Sequence, residues 1–146
     1  MTTEHKEKHT SDMDLIRKYF TRDIFAIKCG IKIDEVSPGR AKVKMDVTSN
    51  HMNGMGVAHG GAIFTLADFA FAVACNSHGT LAVAASATMS FIKPAMAGKL
   101  YAEVWEESCG GRLGTYVGRV TDEAGELVAT FQGLAYRKKN SLAEFV

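Results

Sequence analysis

At 146 residues, with 47% apolar and 23% charged side chains, the chain can build one unstapled core and has the composition of an ordinary globular domain. Its formal charge of +1 offers no pull toward nucleic acid or an anionic membrane, and its two prolines exclude a proline-rich linker. The three cysteines, Cys29, Cys75 and Cys109, share no Cys-x-x-Cys spacing, which argues against zinc or dithiol chemistry and fits free thiols in a reducing cytoplasm.

Residues 1–12 are polar, carry no apolar leader and are expected to be disordered. His5 and His9 stand at i, i+4 there, without a third metal ligand nearby. Ser11 or Asp12 can cap a short helix over about 13–20. From Ile31 the period becomes two, and Ala41, Val43, Met45 and Val47 alternate with polar residues beyond the turn Ser37-Pro38-Gly39, predicting a hairpin with one buried face. A glycine-rich segment over 49–58 leads into a helix over 59–76 that is apolar nearly all round, and therefore buried nearly all round. The most apolar window, about 62–75, contains Thr65 and Asp68 and is too short to span a membrane. A strand follows over 81–92, with neither face strongly polar, so both faces are expected to be covered. Three further strands over 99–109, 113–121 and 127–137 form a meander through Gly110-Gly111 and Glu123-Ala124-Gly125, and the tail after 138 carries no pattern. One helix followed by strands without intervening helices indicates a single α+β domain with an antiparallel sheet.

The chemistry concentrates at the start of the long helix. Gly60 and Gly61 lie in its first turn, where backbone N–H groups have no intrahelical acceptor and the dipole is positive, a place suited to an oxyanion. Asp68, on the same apolar helix, is a carboxylate whose desolvation costs energy unless it is paired, neutralised or used. Eight residues at ~1.5 Å each separate Gly60 from Asp68 by roughly 12 Å, so both cannot reach one carbonyl within the ~3 Å that proton transfer needs. Either the two do not cooperate, with Asp68 satisfied by hydroxyls such as Ser86, Thr88 or Ser90, or the site is completed by a second copy in a two-fold dimer. Asn53 serves equally as an amide donor or as an Asx-turn residue. His59 is a general base or a helix cap, the cap being favoured. No metal-ligand set accompanies it, and the Gly54-Met55-Gly56 turn is not a nucleotide-binding fingerprint.

The run Asn53-x-x-Gly56-x-x-His59-Gly60-Gly61 followed by Phe64-Thr65-Leu66-Ala67-Asp68 resembles the hotdog-fold acyl-CoA thioesterases, most closely the phenylacetic-acid-degradation branch. The resemblance covers roughly residues 31–137 and implies a curved antiparallel sheet wrapped around one helix. It implies that the Gly60 N–H polarises the thioester carbonyl, that Asp68 of the neighbouring subunit is general base or nucleophile, that Asn53 positions the water or leaving group, that Ser86 supports the carboxylate and that His59 is supportive. It also implies an acyl-CoA substrate with no separate cofactor, and a dimer commonly paired into a tetramer. Cations should meet the coenzyme A phosphates, with Lys93, Arg112, Arg137, Lys138 and Lys139 as candidates. The rival readings are a non-catalytic acyl-CoA-binding protein and an enoyl-thioester hydratase or dehydratase.

Overall fold

The computed structural model describes residues 3–146, with side chains from residue 12 onward; Met1 and Thr2, and the side chains of His5 and His9, lie outside the described part. The described residues form three α-helices, α1 (Thr3–Phe20), α2 (Ile24–Lys28) and α3 (Gly60–Asn76), and two short 3-10 turns at Ser49–His51 and Leu142–Phe145. The strands are β1 (Lys32–Ser37), β2 (Arg40–Val47), β3 (Thr80–Phe91), β4 (Gly98–Cys109), β5 (Leu113–Asp122) and β6 (Leu127–Ser141). All strand pairs are antiparallel, in the order β1-β2-β4-β5-β6-β3, and α3 packs against every strand of this single sheet. The architecture is the α+β hotdog, a sheet curled around one helix.

The alternation predicted for β2 holds throughout: Ala41, Val43, Met45 and Val47 are buried, with Lys42 and Lys44 half-exposed between them. On α3, Leu66, Ala67, Phe69, Ala70, Phe71, Val73 and Ala74 are all buried, as a helix enclosed by its own sheet requires. Close approach needs absent side chains. A Cβ on Gly133 of β6 would stand 2.8–3.0 Å from the Phe71 ring, which is itself wedged between Tyr116 and Phe131 at centroid distances of 5.4 and 5.5 Å.

Three expectations need correction. The first helix starts at Thr3 rather than near residue 13; no glycine or proline interrupts the stretch, so the backbone continues as helix through residues expected to be disordered. The five-residue α2, capped by Asp23 Oδ1 accepting from Ala26 N at 3.0 Å, was not predicted. The tail is also structured: β6 runs on to Ser141, which pairs with Thr80, and Leu142 beyond it is fully buried. A polar strand end paired by its backbone, followed by one apolar anchor, leaves too weak a periodicity to read.

The expectation that both faces of β3 are covered is not met within the chain. β3 pairs only with β6, and its other edge is open along twelve residues. Residues 83–86 are exposed in succession, and Phe91 and the adjoining Ile92 are 56% and 55% exposed. The opposite edge strand, β1, is half as long and is interrupted by a bulge between Ile33 and Glu35, which protects it.

Candidate functional site

The loop before α3 is tied down residue by residue. His51 Nδ1 accepts from Thr48 N at 2.9 Å, its Nε2 lies 2.7 Å from Cys29 O, and its own carbonyl accepts from His59 N at 2.7 Å. Ala58 N donates to Ala95 O at 2.8 Å. Asn53 Oδ1 accepts from Met55 N at 2.9 Å and Val57 N at 3.3 Å, the Asx-turn arrangement. Its oxygen is committed to the loop, so only its amide N–H groups remain to act on a ligand.

His59 is the N-cap of α3. Its Nδ1 accepts from Gly61 N at 2.8 Å, which places the proton of the neutral ring on Nε2. With one nitrogen accepting and the other protonated, no lone pair is left for base catalysis, and the cap reading holds. A Cβ on Gly61 would lie 2.9 Å from this nitrogen, so the second glycine makes room for the capping ring. Gly60 occupies the first helical position. Among the described residues its N–H has no acceptor, and the site of its missing Cβ lies 3.4 Å from Phe91 at the far end of β3. An unpaired N–H at a helix start beside an aromatic ring can hold a polarised carbonyl oxygen.

Asp68 lies mid-helix and is half-buried. Burial first, and the negative charge of Asp23 second, push its carboxyl above the usual carboxylate range; no hydrogen bond counters this. Cys75, further along the helix, is pushed up to about 12, chiefly by burial, and is no nucleophile. Gly60 and Asp68 stand on one uninterrupted helix. Their roughly 12 Å separation therefore persists, and a single chain does not unite them.

Ser86 is turned away from Asp68. It pairs with Leu134, whereas the helix-facing residues of β6 are Phe131, Gly133 and Ala135, so Ser86, Thr88 and Ser90 share the convex face. Lys93 is held by Asp122 at 2.7 Å and by Glu126; these contacts raise its pKa and lower that of Asp122. Arg112 lies at the opposite end of β3, its carbonyl accepting from Arg137 N at 2.7 Å. The nine steps from Ala82 to Phe91 span about 30 Å at ~3.3 Å each, so the two cations do not converge on one phosphate cluster within a chain.

One cluster gave no sign in the sequence. His78 Nε2 lies 2.6 Å from Glu106 Oε2, with Cys109 Sγ within 4.8 Å of both. Arg137 Nη1 donates to that sulfur at 3.1 Å. The members come from three places in the chain, the turn after α3, β4 and β6, and only the fold unites them.

With this geometry in place, the comparisons with known proteins are decisive. Residues 55–129 match the family described as the Thioesterase superfamily. The chain belongs to that superfamily. This thioesterase is 39% identical over 119 residues to the acyl-coenzyme A thioesterase PaaI of Escherichia coli, covering 81% of this chain and 85% of that one. The solved structure of E. coli PaaI, described as a protein from the phenylacetic acid degradation operon, superposes with a TM-score of 0.87 at 34% identity, covering 91% of this thioesterase and 97% of that chain. A variant of the phenylacetic acid degradation protein PaaI from Thermus thermophilus gives 0.75 at 39% identity, covering 78% and 98%. The matched family segment contains both Gly60 and Asp68, while α1, α2, β1, β2 and most of β6 lie outside it.

Proposed function

We propose that this thioesterase hydrolyses the acyl-CoA thioester of a neutral acyl group, of phenylacetyl or short-to-medium aliphatic type, to a free acid and coenzyme A. The observation that carries the proposal is the unpaired Gly60 N–H on the same helix as an unpartnered carboxylate at Asp68. The name of the E. coli relative supports the choice of coenzyme A ester.

The roughly 12 Å between the two groups is bridged by a second copy of the chain. The open edge of β3 is long and apolar, and an antiparallel partner strand satisfies it. In a fully overlapped pair, Phe91 of one copy lies opposite Thr80 of the other. Gly60, which packs beside Phe91, is thereby carried to the half of the partner's β3 that faces the later part of its α3. Each two-fold dimer then contains two equivalent sites. Pairing of two such dimers into a tetramer is part of the proposal. The three free cysteines fit a reducing cytoplasm, and no described helix is long and apolar enough to cross a membrane.

In such a site Asp68 takes a proton from water, and the water oxygen attacks the thioester carbon. The carbonyl oxygen becomes an oxyanion held by the Gly60 N–H of the other subunit. Collapse breaks the carbon–sulfur bond and releases the thiolate of coenzyme A. Asn53 directs its amide N–H toward the leaving group or water, and no metal or redox cofactor enters the step.

The test is thiol release from phenylacetyl-, hydroxyphenylacetyl-, benzoyl- and C4–C12 acyl-CoA, with Asp68→Asn run beside wild type. Hydrolysis lost in the variant is the expected result. A folded wild-type protein that hydrolyses none of these esters would favour a non-catalytic acyl-CoA-binding protein, and loss of enoyl-thioester absorbance without thiol release would favour a hydratase.

A further inference from the structure

The end of α1 and Phe145 near the C-terminus border an open cavity of about 450 Å³, within the range of small-molecule sites. Its walls include Tyr19 and Phe20 of α1, Ala72 of α3, Leu81 and Val83 of β3, and Phe145 near the C-terminus. The wall is assembled, not incidental. The Tyr19 and Phe20 rings meet edge-on at 5.0 Å, Tyr19 and Phe145 at 6.4 Å, and Phe20 and Phe69 at 5.5 Å. Arg22 lies 5.9 Å over the Tyr19 ring and donates to Phe145 O, latching the C-terminus to the α1–α2 turn.

Ala72 stands four residues after Asp68, so the two share one helix face, one turn apart. Asp23 also lines the cavity and lies close enough to Asp68 to act on it through its charge. The remaining polar wall residue, Asn76, is satisfied internally: its Oδ1 accepts from Ala82 N at 2.8 Å, and its Nδ2 donates to Ala72 O at 2.8 Å and Ala82 O at 3.1 Å. A ligand therefore meets aromatic and aliphatic surface with one carboxylate, Asp23, and one guanidinium, Arg22, at its edge.

We infer that this cavity receives the acyl group of the substrate, and that α1 and the C-terminal segment, both outside the family-matched residues, set its length. The inference rests on the hydrolase reading above. It follows from position: the thioester carbon must sit at Asp68, and one helical turn further on the face opens into this apolar space.

The test is the kcat/KM profile over acetyl-, butyryl-, hexanoyl-, octanoyl- and phenylacetyl-CoA for wild type, Ala72→Phe and Tyr19→Ala. Ala72→Phe fills the cavity and should lower hexanoyl, octanoyl and phenylacetyl turnover at least about tenfold while leaving acetyl within a few-fold, a ring being worth roughly that much in an apolar pocket. Tyr19→Ala widens the cavity and should shift the optimum toward longer chains. Unchanged profiles in an active enzyme, or a uniform loss in Ala72→Phe with no shift in Tyr19→Ala, would overturn the assignment while leaving the hydrolase reading intact. If wild type hydrolyses no ester, that reading fails by itself. The cavity is then tested by calorimetry with octanoate and phenylacetate: heat absent from Ala72→Phe supports it, and no heat in wild type overturns it.

Discussion

Asp68 is placed where ionisation is disfavoured, between buried Ala67 and Phe69, and this has consequences of opposite sign for activity and stability. Its pKa lies above the ordinary value of 3.8 in the folded chain, so the folded state binds the proton more readily than the unfolded one. Stability therefore falls as pH rises from the ordinary carboxylate pKa through the raised value, and the deficit is complete above it. Asp68→Asn removes the charge at nearly constant shape. It should melt higher than wild type at pH 7, with the difference vanishing in acid where both side chains are neutral, while losing at least about 10²-fold in kcat. The acid limb of wild-type kcat/KM should lie above the range of an unperturbed aspartate, because the base works only when ionised. Calorimetric scans and rate profiles from pH 3 to 8 read both effects. At Gly60 a different substitution isolates the N–H. Proline is favoured at the first helical position, and His59, at φ −62° and ψ 135°, already has the extended backbone that precedes proline. Gly60→Pro should thus fold, by circular dichroism, yet lose about 10²- to 10³-fold in kcat, the usual consequence of deleting one oxyanion donor.

At the scale of elements, α3 is made tightly enclosable by small residues on the strands as well as on itself. The Phe71 ring cannot retreat from Gly133, since Tyr116 and Phe131 hold it from the other sides. Gly133→Ala should destabilise by about 1–3 kcal/mol, the scale of core overpacking, measurable by urea denaturation. The helix start behaves differently, because its cap is a single exposed ring. His59→Ala should cost about 0.5–2 kcal/mol through the lost cap, while His59→Asn, a good cap of another shape, should restore most of it and keep near-normal turnover. This division explains what could be read in advance. The period-two runs of β2 and the all-round apolar α3 announce their own environment, and so does the glycine pair at the helix start. Leu142 does not, because its burial is set by segments far from it in sequence, α1 among them. The same holds for the aromatic wall of Tyr19 and Phe145, and for His78 with Glu106: residues far apart in sequence carry no spacing signal. Ser86 shows the converse. A hydroxyl matched to a family position says nothing of which face of its own sheet it occupies, and β3 turns it away from the helix.

For the whole molecule, the decisive quantity is the distance between Gly60 and Asp68, because it converts a question of catalysis into one of assembly. A straight helix holds the two about 12 Å apart however the side chains move. If each site takes its N–H from one subunit and its carboxylate from the other, the variants Asp68→Asn and Gly60→Pro carry complementary defects. A homodimer of either has two damaged sites. A mixed dimer has one site with both lesions and one with neither, since the subunit carrying Asp68→Asn still offers an intact Gly60 and the subunit carrying Gly60→Pro an intact Asp68. Equal amounts of the two inactive proteins, unfolded and refolded together, form mixed dimers in about half of the population if they assort at random. Half the sites in those are sound, so about a quarter of wild-type thiol release should return. Each variant refolded alone should stay inactive. A site complete within one chain predicts no recovery, because neither protein then possesses a working pair. Sedimentation of the mixture separates this from failed assembly, and a charge on the open edge of β3, such as Ala85→Lys, should abolish both the dimer and the recovered rate.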